Sequence, residues 1–354
     1  MRKDGRRELR DNKAGPPGPA RSWRTGQKNL SFRVPPAPVQ VVPGARPSFS
    51  ILIPAYEAAG VIGRAIRSAL AQSEPAKEIV VVDDGSHDDL GAALAPFGGQ
   101  VRLVTSPHVG LPAARNLAIR HISGDFAAFL DADDELEPDF LEALGSLSAY
   151  RPDLDILTTD ARFIVDGQPD GTFYEKNVFP VDDQRLAMLR GCFITTKTAV
   201  RRSRLIEIGG FDPRLTHGED WECWLRLVLS GSRVGLVDVP LSRYHLHQGQ
   251  MSARHGASLR GRLQIMTDVQ GRSDVTDRER RQLTRPIRDL TVRAAVVSGV
   301  DGEASEARRL WLRLVQSGDA PTATRMGALL AAVAPRLAAR YGLRLCRLSR
   351  AGRS

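Results

Sequence analysis

From Ser48 to Asp134 short apolar runs alternate with stretches of helical spacing, and this alternation constrains the fold more than any other feature of the chain. The runs Phe49 to Ile53, Glu78 to Val82, Val101 to Val104 and Phe126 to Leu130 read as strands. Val61 to Gln72, Asp88 to Ala95 and Pro112 to Ile122 read as the helices between them, the last with proline in its first turn. Strands that are apolar along their whole length are buried on both faces, so the intervening helices must cover both sides of a mostly parallel sheet. The expected fold is α/β, a Rossmann-like sheet flanked by helices. In such sheets ligands bind beyond the carboxyl ends of the strands. Three strands end in conspicuous polar sequence, Pro54-Ala-Tyr-Glu57, Asp83-Asp-Gly-Ser86 and Asp131-Ala-Asp-Asp134, and these should line one crevice.

The third of these segments places three acids at the end of an apolar strand. Like charges a few ångströms apart repel by roughly a kcal/mol or more per pair unless a cation or a raised pKa relieves them. Carboxylates without a nearby cysteine suit a hard ion, Mg²⁺ or Mn²⁺, which keeps open positions for water and substrate phosphate. The alternative is that Asp133, Asp134 and Glu135 open the helix starting near Pro138, where acids favour the helix dipole. On these residues alone both readings stand.

Asp84 follows Ile-Val-Val-Val-Asp83, and a carboxylate at that strand end can accept the imide N–H of a uracil or thymine. Gly85 supplies a tight turn and Ser86 a helix cap, so an ordinary strand-to-helix turn is the alternative. Tyr56 can stack on the same base or pack half-buried. Further on, Gly209-Gly-Phe-Asp-Pro213 and His217-Gly-Glu-Asp-Trp221 set Glu219 and Asp220 at the head of an apolar helix expected over Glu219 to Ser230. A carboxylate there serves either as a general base or as a cap. Trp224 reads as core, and Trp221 as either core or an aromatic platform for an acceptor sugar. Cys192 and Cys223 read as small core residues.

Charge divides the chain. Residues 1–47 carry 11 Lys/Arg against 3 Asp/Glu, and residues 252–354 carry 20 against 9, so with a formal charge of +9 overall the middle is acidic. Basic appendages around an acidic centre argue against nucleic acid as the partner. Three cysteines with no CxxC spacing fit a reducing compartment, and neither a signal peptide nor a membrane-spanning run is visible. The Pro- and Gly-rich composition of residues 1–47 predicts a disordered tail. A strand at Asp155 to Thr159 and a helix at Asp183 to Arg190 are expected in the more mixed middle, and helices broken near Gly271, Gly302, Gly318 to Pro321 and Pro335 in the Arg/Ala/Leu-rich end.

Taken in order, Ile51-Leu-Ile-Pro-Ala-Tyr56, Ala65 to Gln72, Glu78 to Ser86, Gly110-Leu-Pro-Ala-Ala-Arg-Asn116, Gly124 to Asp134, Gly209-Gly-Phe-Asp212, Glu219-Asp220 and Tyr244-His-Leu-His247 resemble the family 2 glycosyltransferases, inverting enzymes of the GT-A fold. The resemblance spans residues 48–250 and implies a GT-A domain there, with a basic helical region over 251–354. It implies that Pro54, Tyr56, Glu57 and Asp84 cradle the base and ribose of a nucleotide-diphosphate sugar. It implies that Asp131 and Asp133 form a DxD motif, with Asp133 nearest a Mn²⁺ or Mg²⁺ ion and Asp134 assisting with metal or ribose. Asp220 matches the base that deprotonates the acceptor, His247 a diphosphate or metal contact, and Arg115 a loop-orienting or phosphate contact. Two departures are visible: Glu57 stands where Asn is common, and no Gln-x-x-Arg-Trp follows Asp220, which argues for adding one or a few sugars. The implied donor is UDP-linked and the acceptor a saccharide or lipid-linked hydroxyl, in cell-surface polysaccharide or glycoconjugate synthesis. The competing classes are a nucleotidyltransferase, which would need a basic triphosphate loop where Pro54 to Gly60 has no Lys or Arg, and a non-catalytic sugar-nucleotide-binding protein.

The implied location is cytoplasmic. Beyond Pro335, helical spacing groups Arg336, Arg340, Arg344 and Arg347 beside Leu337, Tyr341, Leu345 and Leu348. Such a helix either lies on an anionic membrane surface, peripheral at its inner face, or packs its leucines on the core.

Overall fold

The computed structural model describes residues 21–25, 28–35, 44–247, 255–316 and 322–333 of the 354. Its strands are β1 (Arg21–Thr25), β2 (Lys28–Arg33), β3 (Phe49–Ala55), β4 (Glu78–Asp83), β5 (Arg102–Thr105), β6 (Phe126–Phe129), β7 (Glu135–Leu136), β8 (Ile156–Val165), β9 (Gln168–Thr172), β10 (Thr198–Arg201) and β11 (Val234–Leu246). Its helices are α1 (Ile62–Leu70), α2 (Leu90–Leu94), α3 (Leu111–His121), α4 (Phe140–Tyr150), α5 (Phe173–Lys176), α6 (Gln184–Arg190), α7 (Arg202–Glu207), α8 (Glu219–Leu229), α9 (His255–Gln270), α10 (Asp277–Val300), α11 (Ala304–Gln316) and α12 (Thr322–Val333).

All these strands join one sheet in the order β1-β2-β11-β8-β10-β6-β3-β4-β5, with β7 beside β11 and β9 beside β8. The block β6-β3-β4-β5 is parallel, as the βα alternation predicts. Every residue of β3 is buried. Phe49, Ile51 and Ile53 face one layer with α1 and α4, while Leu52 faces the other with Val80, Val82 and the buried side of α3. The period of two along the strand thus feeds two cores at once. Helix α1 answers with Ile62, Ala65, Ile66 and Ala69, a single stripe at helical spacing. Each fully buried Leu or Ile contributes about 1.5–3 kcal/mol, so the strand ends that carry the site are held rigidly.

Beyond β6 the sheet changes character. Strand β10 runs antiparallel between β6 and β8, and β11 lies parallel to β8 with register shifts around Pro240. Proline is tolerated there because a bulge leaves no ladder bond for it to donate. The predicted strand at Asp155 to Thr159 is the first half of β8; β10 and β11 have no sequence forecast.

Within residues 1–47, read from composition as a disordered tail, the structure describes two strands. Strands β1 and β2 pair antiparallel, and β2 continues the sheet by opposing Arg33 to Leu236 and Phe32 to Val237 of β11. Phe32 is buried and stacks 6.1 Å from Tyr150, and Arg33 pairs with Asp238 at 2.7 Å. The physical reason is local: Asn29-Leu-Ser-Phe-Arg-Val34 alternates polar and apolar residues, a strand pattern hidden by the composition of the segment as a whole.

Helices α9 to α12 break close to the expected glycines. Helix α10 opens with a capping box between Thr276 and Glu279, and the Arg185 Nε to Glu279 Oε1 pair at 2.6 Å ties it to α6. Among the described residues no helix is long and apolar enough to cross a membrane. The basic stretch from Arg336 to Leu348, together with Cys346, lies outside the described residues.

Candidate active site

The carboxyl ends of β3, β4 and β6 adjoin, because β3 lies between the other two in the parallel block. Pro54 is buried in β3 opposite Val82, so it shapes the strand end from beneath. Tyr56 emerges half-exposed, its ring 4.1 Å from that of His108 and tilted by 32° to it. Glu57 adopts a positive φ of 51° and accepts from the His87 amide at 2.8 Å. That hydrogen bond lowers its pKa below the ordinary glutamate value.

Asp84 turns inward. Its carboxylate accepts from the Val109 amide at 2.8 Å, the Gly110 amide at 2.9 Å and the Ser106 hydroxyl at 3.4 Å, and His108 Nδ1 lies 3.1 Å away. A carboxylate offers about four acceptor positions, and the two amides and the hydroxyl take three of them. Asp84 therefore fixes the loop that carries His108. Gly85 is required for the same contact: at φ 74° its missing Cβ would stand 2.6 Å from the His108 amide nitrogen.

The acidic turn after β6 is threaded by two cations. Arg115 of α3 donates through Nη2 to Asp131 at 3.0 Å and through Nη1 to Glu219 at 2.8 Å. Lys197, just before β10, reaches the other oxygen of Asp131 at 3.0 Å and pairs directly with Asp134. The result is a ladder of alternating charge, Glu219, Arg115, Asp131, Lys197, Asp134, running from the head of α8 to the acidic turn. Both cations are buried. Burial opposes the charged form of Asp131, but Lys197 and then Arg115 outweigh it and hold its carboxyl well below the usual range. Burial pushes Asp134 up to about 6; Lys197 pulls against this, and Asp131 and Asp133 add to it. Buried and paired with both carboxylates, Arg115 links the head of α8 to the acidic turn.

Asp133 faces elsewhere. Its Oδ2 lies 2.9 Å from His247 Nε2, at the end of β11, and Arg64 Nη2 donates to its carbonyl at 2.6 Å. The contact is a direct hydrogen bond or ion pair, and it sets side by side two groups of the kind that ligate Mg²⁺ or Mn²⁺. Among the described residues no cluster of three or more His, Cys, Asp or Glu converges on one point. The pair thus fits a hard ion that takes its remaining ligands from solvent and substrate.

Glu219 is buried at the head of α8, and burial, with Asp220 adding and Arg115 opposing, raises its pKa to about 6. Asp220 is partly exposed, and its Oδ1 accepts from the amide of Trp221 at 2.7 Å. The preceding loop is locked by Asn116, whose side chain donates to the Phe211 carbonyl at 2.7 Å and accepts from the Phe211 amide at 2.8 Å. Trp221 is core rather than platform, since it is 3% exposed and donates Nε1–H to the Met188 carbonyl at 2.9 Å. Trp224 is core as expected, edge-on to Phe129 and Phe211. A cavity of about 780 Å³ lies between α8, α9 and the 209–215 loop, away from the acidic turn. Its arginines are paired, Arg214 with Asp212, Arg226 with Glu222 and Arg272 with Asp274, so it presents no convergent chemistry.

Lys197 is the residue that sequence reasoning missed. A lone lysine in Phe193-Ile-Thr-Thr-Lys-Thr-Ala-Val200 is the only available signal: a cation in a run otherwise fit for burial.

Comparison with known proteins adds independent findings. Residues 50–209 match the family model described as Glycosyl transferase family 2. The chain is 31% identical over 231 residues to the amylovoran biosynthesis glycosyltransferase AmsB of Erwinia amylovora, an alignment covering 60% of this chain and 74% of that one. Other curated relatives are much longer, and the chain spans only 26 to 33% of three of them. Among solved structures it superposes on residues 1–349 of S. aureus TarS in complex with UDP-GlcNAc, with a TM-score of 0.59 at 17% identity, covering 82% of this chain and 89% of that one. It superposes likewise on the mannosyltransferase PcManGT of Pyrobaculum calidifontis in complex with GDP-Man and Mn²⁺, with a TM-score of 0.55 at 18% identity, covering 86% of this chain and 88% of that one.

Proposed function

The chain belongs to glycosyl transferase family 2, and from that premise we propose that it transfers a sugar, with inversion, from a UDP-linked donor to a hydroxyl acceptor in the synthesis of a surface polysaccharide or glycoconjugate. The observation that carries the proposal is the ladder joining Glu219, next to Asp220, to Asp131 in the acidic turn: one braced network sets the head of α8 against a turn whose Asp133 meets His247. Surface polysaccharide synthesis is supported by the relative named for amylovoran biosynthesis, and a nucleotide sugar with a divalent ion by the complexes of the structural neighbours.

Each residue has a part. Tyr56 offers its exposed ring to the base, while Glu57 and the loop held by Asp84 border the ribose. Asp133 and His247 hold Mn²⁺ or Mg²⁺, which when bound supplies positive charge to the departing diphosphate. Asp220 takes the proton of the acceptor hydroxyl as it attacks the anomeric carbon from the opposite face. Arg115 pairs with Asp131 and Glu219 and holds them in place. Without a Gln-x-x-Arg-Trp sequence after Asp220, the enzyme adds one or a few sugars. The acceptor is a saccharide or a lipid-linked hydroxyl. Residues 48–250 form the transferase domain and 251–354 a basic region that brings it to the inner face of a membrane, where the last thirty residues contribute seven arginines and no acid.

The test is the stereochemistry of the product. With an accepted donor and acceptor, proton NMR of the new linkage should show the anomeric configuration opposite to that of the donor. Retention of configuration would overturn the single-displacement role of Asp220.

A further inference from the structure

We propose that Lys197 is a built-in cation that claims Asp131 and Asp134 and so tempers the negative charge that the acidic turn, with Asp133 beside His247, presents to a divalent ion. This rests on the metal-dependent reading above and assigns a residue that the reading does not need.

The geometry is specific. Lys197 is 1% exposed and stands on the segment entering β10, the strand inserted antiparallel between β6 and β8, which brings it beneath the end of β6. Its ammonium pairs with Asp134 Oδ2, meets Asp131 Oδ2 at 3.0 Å and Thr196 Oγ1 at 2.7 Å, and lies 4.1 Å over the ring of Tyr244. The second oxygen of each carboxylate is also engaged: Asp131 Oδ1 by Arg115 at 3.0 Å, and Asp134 Oδ1 by the amide of His245 at 2.8 Å. Both oxygens of Asp131 thus accept from cations of the protein, and Asp134 accepts from an amide on one oxygen and is ion-paired with Lys197 on the other. Asp134 is 0% exposed, whereas the Asp133 side chain is 26% exposed toward His247.

Two consequences follow from charge. A buried cation beside the turn offsets one of its carboxylates, so the turn attracts a divalent ion less strongly than three bare acids would. The contact of Asp134 with His245 also anchors the end of β11 two residues before His247. Lys197 is therefore a positioning residue that sets the strength of the ion site and leaves its other coordination positions to the diphosphate.

The experiment is Mn²⁺ binding in the presence of excess UDP, read from the loss of the free-ion EPR signal, with circular dichroism to confirm folding. Lys197→Met should tighten Mn²⁺ by about tenfold or more, and Asp134→Asn should weaken it, because each changes the nearby charge by one unit in opposite directions. The double variant Lys197→Met with Asp134→Asn restores the charge balance and should lie within about threefold of wild type, while Asp133→Asn removes binding. Loss of Mn²⁺ in the double variant as complete as in Asp133→Asn would make Asp134 itself a ligand and overturn the assignment, and so would a Lys197→Met protein of unchanged affinity. Should Lys197→Met alone not fold, the double variant, which leaves neither charge buried without its partner, decides the matter. A wild-type protein that takes up no Mn²⁺ with UDP would instead overturn the metal-dependent reading and this inference with it.

Discussion

His247 Nε2 lies 2.9 Å from Asp133 Oδ2, although 114 residues separate the two in the chain. The contact exists because β11 runs past the acidic turn, pairing with β7 and anchored to Asp134 through the amide of His245. If the two side chains are joint ligands, removing the imidazole must weaken the ion while leaving the fold intact. His247→Ala should raise the metal concentration for half-maximal activity by at least the tenfold or so that even an outer-sphere partner commands, with an unchanged melting temperature. A metal titration with donor held saturating checks this.

Asp220→Asn separates chemistry from binding. The amide keeps the shape of the carboxylate and loses the base, so kcat should fall by about 10²- to 10⁴-fold while the affinity for the nucleotide donor stays within a few-fold of wild type. Steady-state kinetics combined with calorimetric donor binding distinguish this from a general loss of structure. An equal loss of both would mean that Asp220 serves chiefly as a helix-capping residue.

Arg115 should matter to stability first. It is 4% exposed and paired with Asp131 at 3.0 Å and Glu219 at 2.8 Å, and removing one partner of a buried ion pair costs about 3–5 kcal/mol because the others stay buried. Arg115→Met should therefore lose about that much in urea denaturation. Adding Glu219→Gln should recover part of it, since one stranded charge is then removed.

The Arg185–Glu279 pair between α6 and α10 gives a pH dependence with a definite sign. Its side-chain hydrogen bond with Arg185, helped by those from Thr276, lowers the Glu279 pKa from 4.5 to about 2. A depressed carboxylate pKa means that the folded state binds the proton less readily than the unfolded one. The stabilisation is present above pH 4.5 and is lost as pH falls toward about 2. Glu279→Gln should lower the melting temperature at pH 7, and the gap to wild type should close across that acid window. A gap constant down to pH 2 would contradict it.

The parallel half of the sheet was legible because β3, β4 and β6 are mostly apolar and each is followed by a conspicuously polar segment. What the sequence withheld has physical causes. Strand β11 is interrupted by Asp238 and Pro240 and half of it is not fully buried, so neither apolar length nor strict alternation marks it. Lys197 finds Asp131 across 66 residues, and a lone lysine carries no spacing that announces its partners. At the end of β4 the two acids diverge, with Asp83 accepting from the Ser86 amide at 2.9 Å while Asp84 turns to the 106–110 loop; the pattern predicts an acid there without saying which one faces the crevice. Trp221 looked equally suited to site or core, and the Met188 carbonyl beside its indole N–H decides for the core.

The most direct test of the account is nucleoside diphosphate release from a panel of nucleotide sugars incubated with Mn²⁺ or Mg²⁺ and the purified full chain, wild type beside Asp133→Ala. The account predicts metal-dependent release from one donor, abolished by the substitution and by chelation of the metal. Release that persists in Asp133→Ala, or a wild-type chain that neither binds nor cleaves any donor in the panel, would contradict it.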